Sequence, residues 1–174
     1  MGQNPILNKD QMRLRLMNDP VLRRPTVPVE QGELDYIKSL IPEMTKIMND
    51  EEGTGLAANQ VGISKRFFII KDKEEVKLVI NPEIVELGPL SSFQEGCLSI
   101  PGTSAETQRA QHIKLRFRDE NFNEINTEYN GLSAVAIQHE VDHLDGKLYI
   151  DKLLPVRRML TVNKYKKFLK MRGI

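Results

Sequence analysis

The sequence has no excess of either charge. Its 25 Lys and Arg stand against 24 Asp and Glu, a net charge of +1. That excludes a grossly basic chain held to nucleic acid by bulk electrostatics, and no part of it reads as a sequence-specific nucleic-acid binder. Long apolar runs are also missing, and none approaches the roughly 20 residues of a membrane span. Met1–Asp19 carries neither the apolar core of a signal peptide nor an Arg-rich, Ser-rich, acid-poor leader, so the expected location is a bacterial-type cytoplasm rather than an organelle. There is one cysteine, Cys97. A lone cysteine forms no internal disulfide and fits a reducing compartment, and any thiolate metal ligand must then be Cys97. With no repeat, low-complexity segment or linker, the 174 residues fit one domain spanning 1–174.

What is present divides into clear elements. Pro5, Pro20, Pro25 and Pro28 break residues 1–30 into irregular chain. From Gly32 to Asn49 the residues Leu34, Ile37, Leu40, Ile41, Met44, Ile47 and Met48 share a helical stripe, with Pro42 marking a kink or a second helix start. Arg66–Lys71 and Val76–Ile80 read as strands around a charged turn, and Glu83–Leu87 as a possible edge strand after Asn81-Pro82. Residues 112–118 alternate, with Ile113, Leu115 and Phe117 on one face, and 124–129 form a short strand. Leu132–Leu144 is a helix stopped at Gly146, and Pro155 opens a last helix to about Met171. Strands in the middle and helices at both ends predict an α+β fold, its strands around a central helix that carries the histidines.

That central helix holds Gln138-His139-Glu140-Val141-Asp142-His143. Histidines at i and i+4 lie on one helix face and reach one metal ion, and the glutamate between them can work on a water. A catalytic zinc-type site needs three protein ligands and an open position. Cys97 and His112 are the candidates for the third, and His112 stands on the basic face of its strand. Two other completions are weaker. Metzincin proteases share the spacing through Gly146, but Tyr149 stands where their third histidine belongs, and only about 30 residues follow His143. A structural metal protein needs a fourth protein ligand, and only His112 is left. Another metallo-amidase or peptidase is the remaining alternative.

Gly53-Thr54-Gly55-Leu56-Ala57-Ala58-Asn59-Gln60 formally contains a dinucleotide fingerprint, but a helix precedes it where a strand is required. A better reading is backbone that approaches a ligand closely, with Gln60 supplying an amide donor to a developing oxyanion.

With Glu95-Gly96-Cys97-Leu98-Ser99 as the third segment, the chain resembles peptide deformylases. That family is recognised by G-x-G-L-A-A-x-Q, E-G-C-L-S and Q-H-E-x-D-H-L-x-G, in this order. The resemblance runs from about Asn18 to Asp151. It implies metal ligands Cys97, His139 and His143 and a catalytic Glu140. It implies oxyanion donors at the Gln60 side chain and the Leu98 backbone N–H, and substrate alignment by the Gly55 carbonyl. The methionine pocket would be lined by Thr54, Phe93, Leu132, Val135 and Ala136, and Glu95 and Arg109 would pair behind the cysteine loop. Asn59 departs from the proline, threonine or serine more usual there. The implied reaction removes the formyl group from N-formylmethionyl nascent peptides, hydroxide formed at the metal attacking the formyl carbon and releasing formate. The implied cofactor is one divalent metal ion, ferrous iron in cells, with zinc, nickel or cobalt able to replace it.

Residues 155–174 hold seven Lys or Arg and no Asp or Glu. Met159, Val162, Tyr165 and Leu169 are expected to dock this helix, leaving a basic face for the ribosome.

Overall fold

The structure is a computed structural model that describes residues 12–73 and 75–174. The irregular segment expected around Pro5 lies outside these residues.

Helix α1 (Leu34–Asp50) buries Ile37, Leu40, Met44 and Met48, every third or fourth residue, as the stripe requires. It runs through Pro42 as a single helix. Pro42 and Lys38, whose carbonyl loses its partner to the proline, are both exposed, so water can satisfy the freed group.

A five-stranded antiparallel sheet follows in the order β1-β2-β3-β6-β7, from strands β1 (Gly55–Ala57), β2 (Phe67–Asp72), β3 (Glu75–Leu87), β6 (His112–Arg118) and β7 (Glu124–Asn130). Strand β2 is buried on both faces. Phe67 and Ile69 pack with α1, and Phe68 and Ile70 pack with α2 (Gly131–Leu144) on the other side. That two-sided burial explains a run of four apolar residues in place of alternation.

The expected edge strand at Glu83–Leu87 is instead the second half of β3, paired to β6 in the interior of the sheet. Asn81-Pro82 does not end the strand. It shifts the register between Ile80 and Glu83, with Asn81 at φ +50°. The Asn81 amide replaces the lost ladder bonds, accepting from Val29 N and donating to Val29 O at 2.8 Å each.

Strands β4 (Leu90–Gly96) and β5 (Ser104–Ala110) form a separate hairpin that the sequence reading did not anticipate. The loop between them carries Cys97.

Helix α3 (Pro155–Arg172) docks through Thr161 and Tyr165, with Val162 and Leu169 partly buried. Met159, expected on this stripe, is 55% exposed. Before Thr161 the helix buries no side chain, and Arg158 pairs with Asp151 at 3.1 Å. Arg157, Arg158, Lys164, Lys166, Lys167 and Lys170 are exposed, as their positions off the stripe require.

Candidate metal centre and cavity

Helix α2 presents His139 and His143 one turn apart, with ring centroids 4.8 Å apart and planes at 72°. The β4–β5 loop brings Cys97 against them. Cys97 Sγ lies 3.2 Å from His143 Nε2, which lies 3.1 Å from His139 Nε2. Tetrahedral ligands with bonds of about 2.0–2.3 Å stand roughly 3.3–3.6 Å apart, close to these two separations, and all three donors lie within 4.8 Å of one another. No other cluster of three or more His, Cys, Asp or Glu fit to hold a metal occurs among the described residues. His112 is elsewhere, its ring 3.0 Å from Asn130 Oδ1.

The proton inventory favours a cation at this place. His139 Nδ1 faces Glu95 Oε2 at 3.1 Å, which leaves Nε2 turned toward the other two donors. Burial opposes charge on His139, but its bonds to Cys97 and Glu95 prevail and raise its pKa. A proton and a metal ion compete for such a site, and the anionic surroundings that favour one favour the other. Burial, then repulsion from His139 and Arg109, holds His143 well below its ordinary value and therefore neutral.

Behind the ligands lies an ion network. Arg109, 2% exposed, donates to Glu95 at 3.1 Å from both Nε and Nη2, and to Asp142 at 2.6 Å from Nη1. It thereby ties β5 to β4 and to the ligand helix. Burial works against ionised Glu95, yet its bonds to His139 and the Arg109 charge bring its pKa down to about 2 from 4.5. A depressed carboxyl contributes stability that is complete above the unfolded value and disappears as pH falls through the folded one. Metal-free Glu95→Gln is therefore expected to be less stable than wild type at pH 7. In urea melts that gap should close between about pH 4.5 and 2. A gap of constant size would mean that the Glu95 charge is not what matters.

Glu140 is buried, and its Oε2 has no hydrogen-bond partner. Burial raises its pKa to about 7, against the lowering effect of His139. Beside a cation the same carboxyl ionises at neutral pH and becomes a base. Gly55 makes room for it, since a Cβ there would stand 2.6 Å from Glu140 Oε1. The Gln60 amide, in the 3-10 turn Ala58–Val61, is oriented by the last residue of β1. Oε1 accepts from Ala57 N at 2.9 Å, so the NH2 faces Ser99 Oγ at 3.1 Å and Cys97 Sγ at 3.8 Å.

These groups open into a cavity of about 540 Å³. Thr54, Gly55, Gln60, Leu98, Leu132, Val135 and Ala136 all line it, with Cys97, His139 and Glu140 at its floor. His143 sits deeper, at 1% exposure. Phe93 does not line it: the wall along β4 ends at Gln94 and Glu95, and two strand residues carry Phe93 about 7 Å beyond Glu95.

Three supporting residues escaped the sequence reading. Asn59 donates to His143 O at 2.5 Å, tying the turn after β1 to the ligand helix. Its departure from the family pattern was the available signal. Gln138 brackets Ala110, accepting from its N at 3.0 Å and donating to its O at 2.8 Å. Tyr149 stacks on His139 at 6.4 Å and bonds Thr103 Oγ1 at 2.8 Å. Gln138 stood beside His139 in the motif, and Tyr149 was noted only as the residue in place of a third histidine.

An α+β fold with thiolate and imidazole donors beside a buried carboxyl, at the floor of a cavity, is that of a metal-dependent hydrolase. The sequence model of polypeptide deformylase matches residues 12–159. Peptide deformylase 2 of Xanthomonas campestris pv. campestris is 41% identical over 157 residues, covering 87% of this chain and 92% of its own. The crystal structure of a peptide deformylase from Legionella pneumophila superposes with a TM-score of 0.88 at 36% identity, covering 93% of this chain and 97% of that one. A class I type b peptide deformylase from Acinetobacter baumannii, solved with Met-Ala-Ser bound, gives 0.78 at 29% identity over 82% and 98%. The chain belongs to the peptide deformylase family. It is an enzyme that removes the N-formyl group from formylmethionyl nascent peptides.

Proposed function

We propose that Cys97, His139 and His143 hold the metal, that Glu140 moves the protons, and that Gln60 and the Leu98 N–H receive the oxyanion. One observation carries this reading: three convergent donor atoms lie beside a buried carboxyl with an unpartnered oxygen. The metal, when bound, supplies Lewis acidity to the formyl oxygen and to water. Glu140 Oε2 takes a proton from the attacking water and returns it to the amine nitrogen as the C–N bond breaks, leaving formate and a free N-terminus. The Gln60 NH2, held by Ala57, and the Leu98 N–H donate to the formyl oxygen as it gains charge. The Gly55 carbonyl aligns the peptide. Thr54, Leu98, Leu132, Val135 and Ala136 receive the methionine side chain. A formyl carbon bears only hydrogen, so a tight site excludes larger acyl groups.

The ion in cells is ferrous iron, which a thiolate and two imidazoles accommodate as readily as zinc, nickel or cobalt. Protein loaded with iron under anaerobic conditions is expected to release formate from formyl-Met-Ala-Ser and to leave acetyl-Met-Ala-Ser intact. Equal turnover of both would sink the assignment.

The enzyme works as one domain in the cytoplasm, where nascent chains are made. No helix among the described residues is long and apolar enough to cross a membrane. Helix α3 docks on the ribosome through its seven cations. Reversing Lys164, Lys166 and Lys167 to Glu should lower co-sedimentation with ribosomes, and wild-type binding should weaken steeply with salt. Unchanged co-sedimentation would reduce the cations to partners of the helix dipole.

A further inference from the structure

Two buried polar atoms beside the ligand helix lack hydrogen-bond partners, and they belong to residues already in contact. Asn59 Nδ2 donates to His143 O at 2.5 Å. That bond fixes which way the amide points, because a carbonyl only accepts, so Oδ1 is the atom left over. Asn59 is buried, and its Oδ1 has no partner among the described residues. His143 is buried as well, and its Nδ1 has none either. The other ring nitrogen, Nε2, faces Cys97 Sγ and His139 Nε2. A neutral imidazole that ligates through Nε2 carries its proton on Nδ1. Asn59 therefore holds a buried acceptor and His143 a buried donor, and each is costly to leave bare.

The end of α2 gives no reason for the asparagine. His143 O, in the last turn of the helix, already accepts from Gly146 N at 3.0 Å, so that carbonyl is satisfied without Asn59. The first ligand of the helix shows what the second lacks. His139 Nδ1 meets Glu95 Oε2 at 3.1 Å, and that contact sets the direction of its ring.

We propose that Asn59 is the positioning residue of His143, as Glu95 is of His139, its Oδ1 receiving the Nδ1–H through one internal water. The two atoms do not bond directly, and a water between them satisfies both. The link holds the ring with Nε2 toward the metal and strengthens it as a ligand. The inference rests on the ligand set proposed above.

The test is zinc affinity measured by chelator competition. Asn59→Leu has a similar shape without polar atoms, and it should weaken zinc binding about 10- to 100-fold, the usual cost of losing a group that orients a ligand. Asn59→Asp keeps an acceptor but loses the donor to His143 O, so it should hold zinc close to wild-type affinity. If the tie to His143 O were what mattered, both variants would lose zinc alike, and that result overturns the proposal. So does an unchanged affinity in Asn59→Leu. The chain has three histidines, which keeps the imidazole region of an NMR spectrum simple. In zinc-loaded wild type the His143 Nδ1–H should give a slowly exchanging signal beside that of His139, in contact with a bound water. The absence of that signal or of that contact overturns the proposal even where Asn59→Leu fails to fold. Wild type that binds no zinc overturns the ligand set and this inference with it.

Discussion

Glu140→Gln is expected to keep its metal and lose most of its turnover, by about 10²- to 10⁴-fold, the usual contribution of a positioned proton-transfer group. The metal stays because Cys97, His139 and His143 are untouched, and because glutamine fills the space that glutamate occupies against Gly55. What disappears is the capacity to accept a proton at the buried oxygen that now has no partner. Glu140→Ala should show the same loss with a further fall in stability from the cavity it leaves. The decisive comparison is metal content per chain against formate release. If both fall together in Glu140→Gln, Glu140 is a ligand or a structural group and the proton role is wrong.

Cys97→Ser is expected to empty the site. A neutral hydroxyl replaces an anionic thiolate, and the two imidazoles left on α2 make a poor catalytic centre. Removing a mere supporting partner of a metal site costs about 10- to 100-fold in affinity, and removing a ligand should cost more. Dialysis of wild type and variant against graded chelator, with metal counted per chain, gives the comparison. Peroxide should likewise inactivate the iron enzyme by oxidising the metal or this thiolate. Tight metal and full activity in Cys97→Ala would remove Cys97 from the site. The loop that carries Cys97 also has ties that do not involve the sulfur, Thr103 Oγ1 donating to Ile100 O at 2.7 Å and Met17 N to Ser99 O at 2.8 Å, so the substitution leaves those in place.

The sequence by itself determined what depends on local periodicity or on scarcity. His139 and His143 share a face because a helix repeats every 3.6 residues, so their pairing needed no tertiary information. Cys97 had no rival as a thiolate because it is the chain's one cysteine. The α1 stripe and the alternation of β6 were legible because each element buries one side. The β4–β5 hairpin was not, because Ser, Gln, Thr and Glu fill it and its strongest buried tie is the Glu95–Arg109 ion pair rather than an apolar face. The three-residue strand β1 is buried throughout and so shows no alternation. The Asn81-Pro82 break read as an end because the Asn81–Val29 bonds that bridge it span 52 residues. Only the tertiary structure decided the rest. It brought Cys97 to His143 across 46 residues and turned the Gln60 amide inward. It left Phe93 off the cavity wall and moved the docking face of α3 from Met159 to Thr161. Each of these depends on which distant segments meet, and periodicity within one segment carries no record of that.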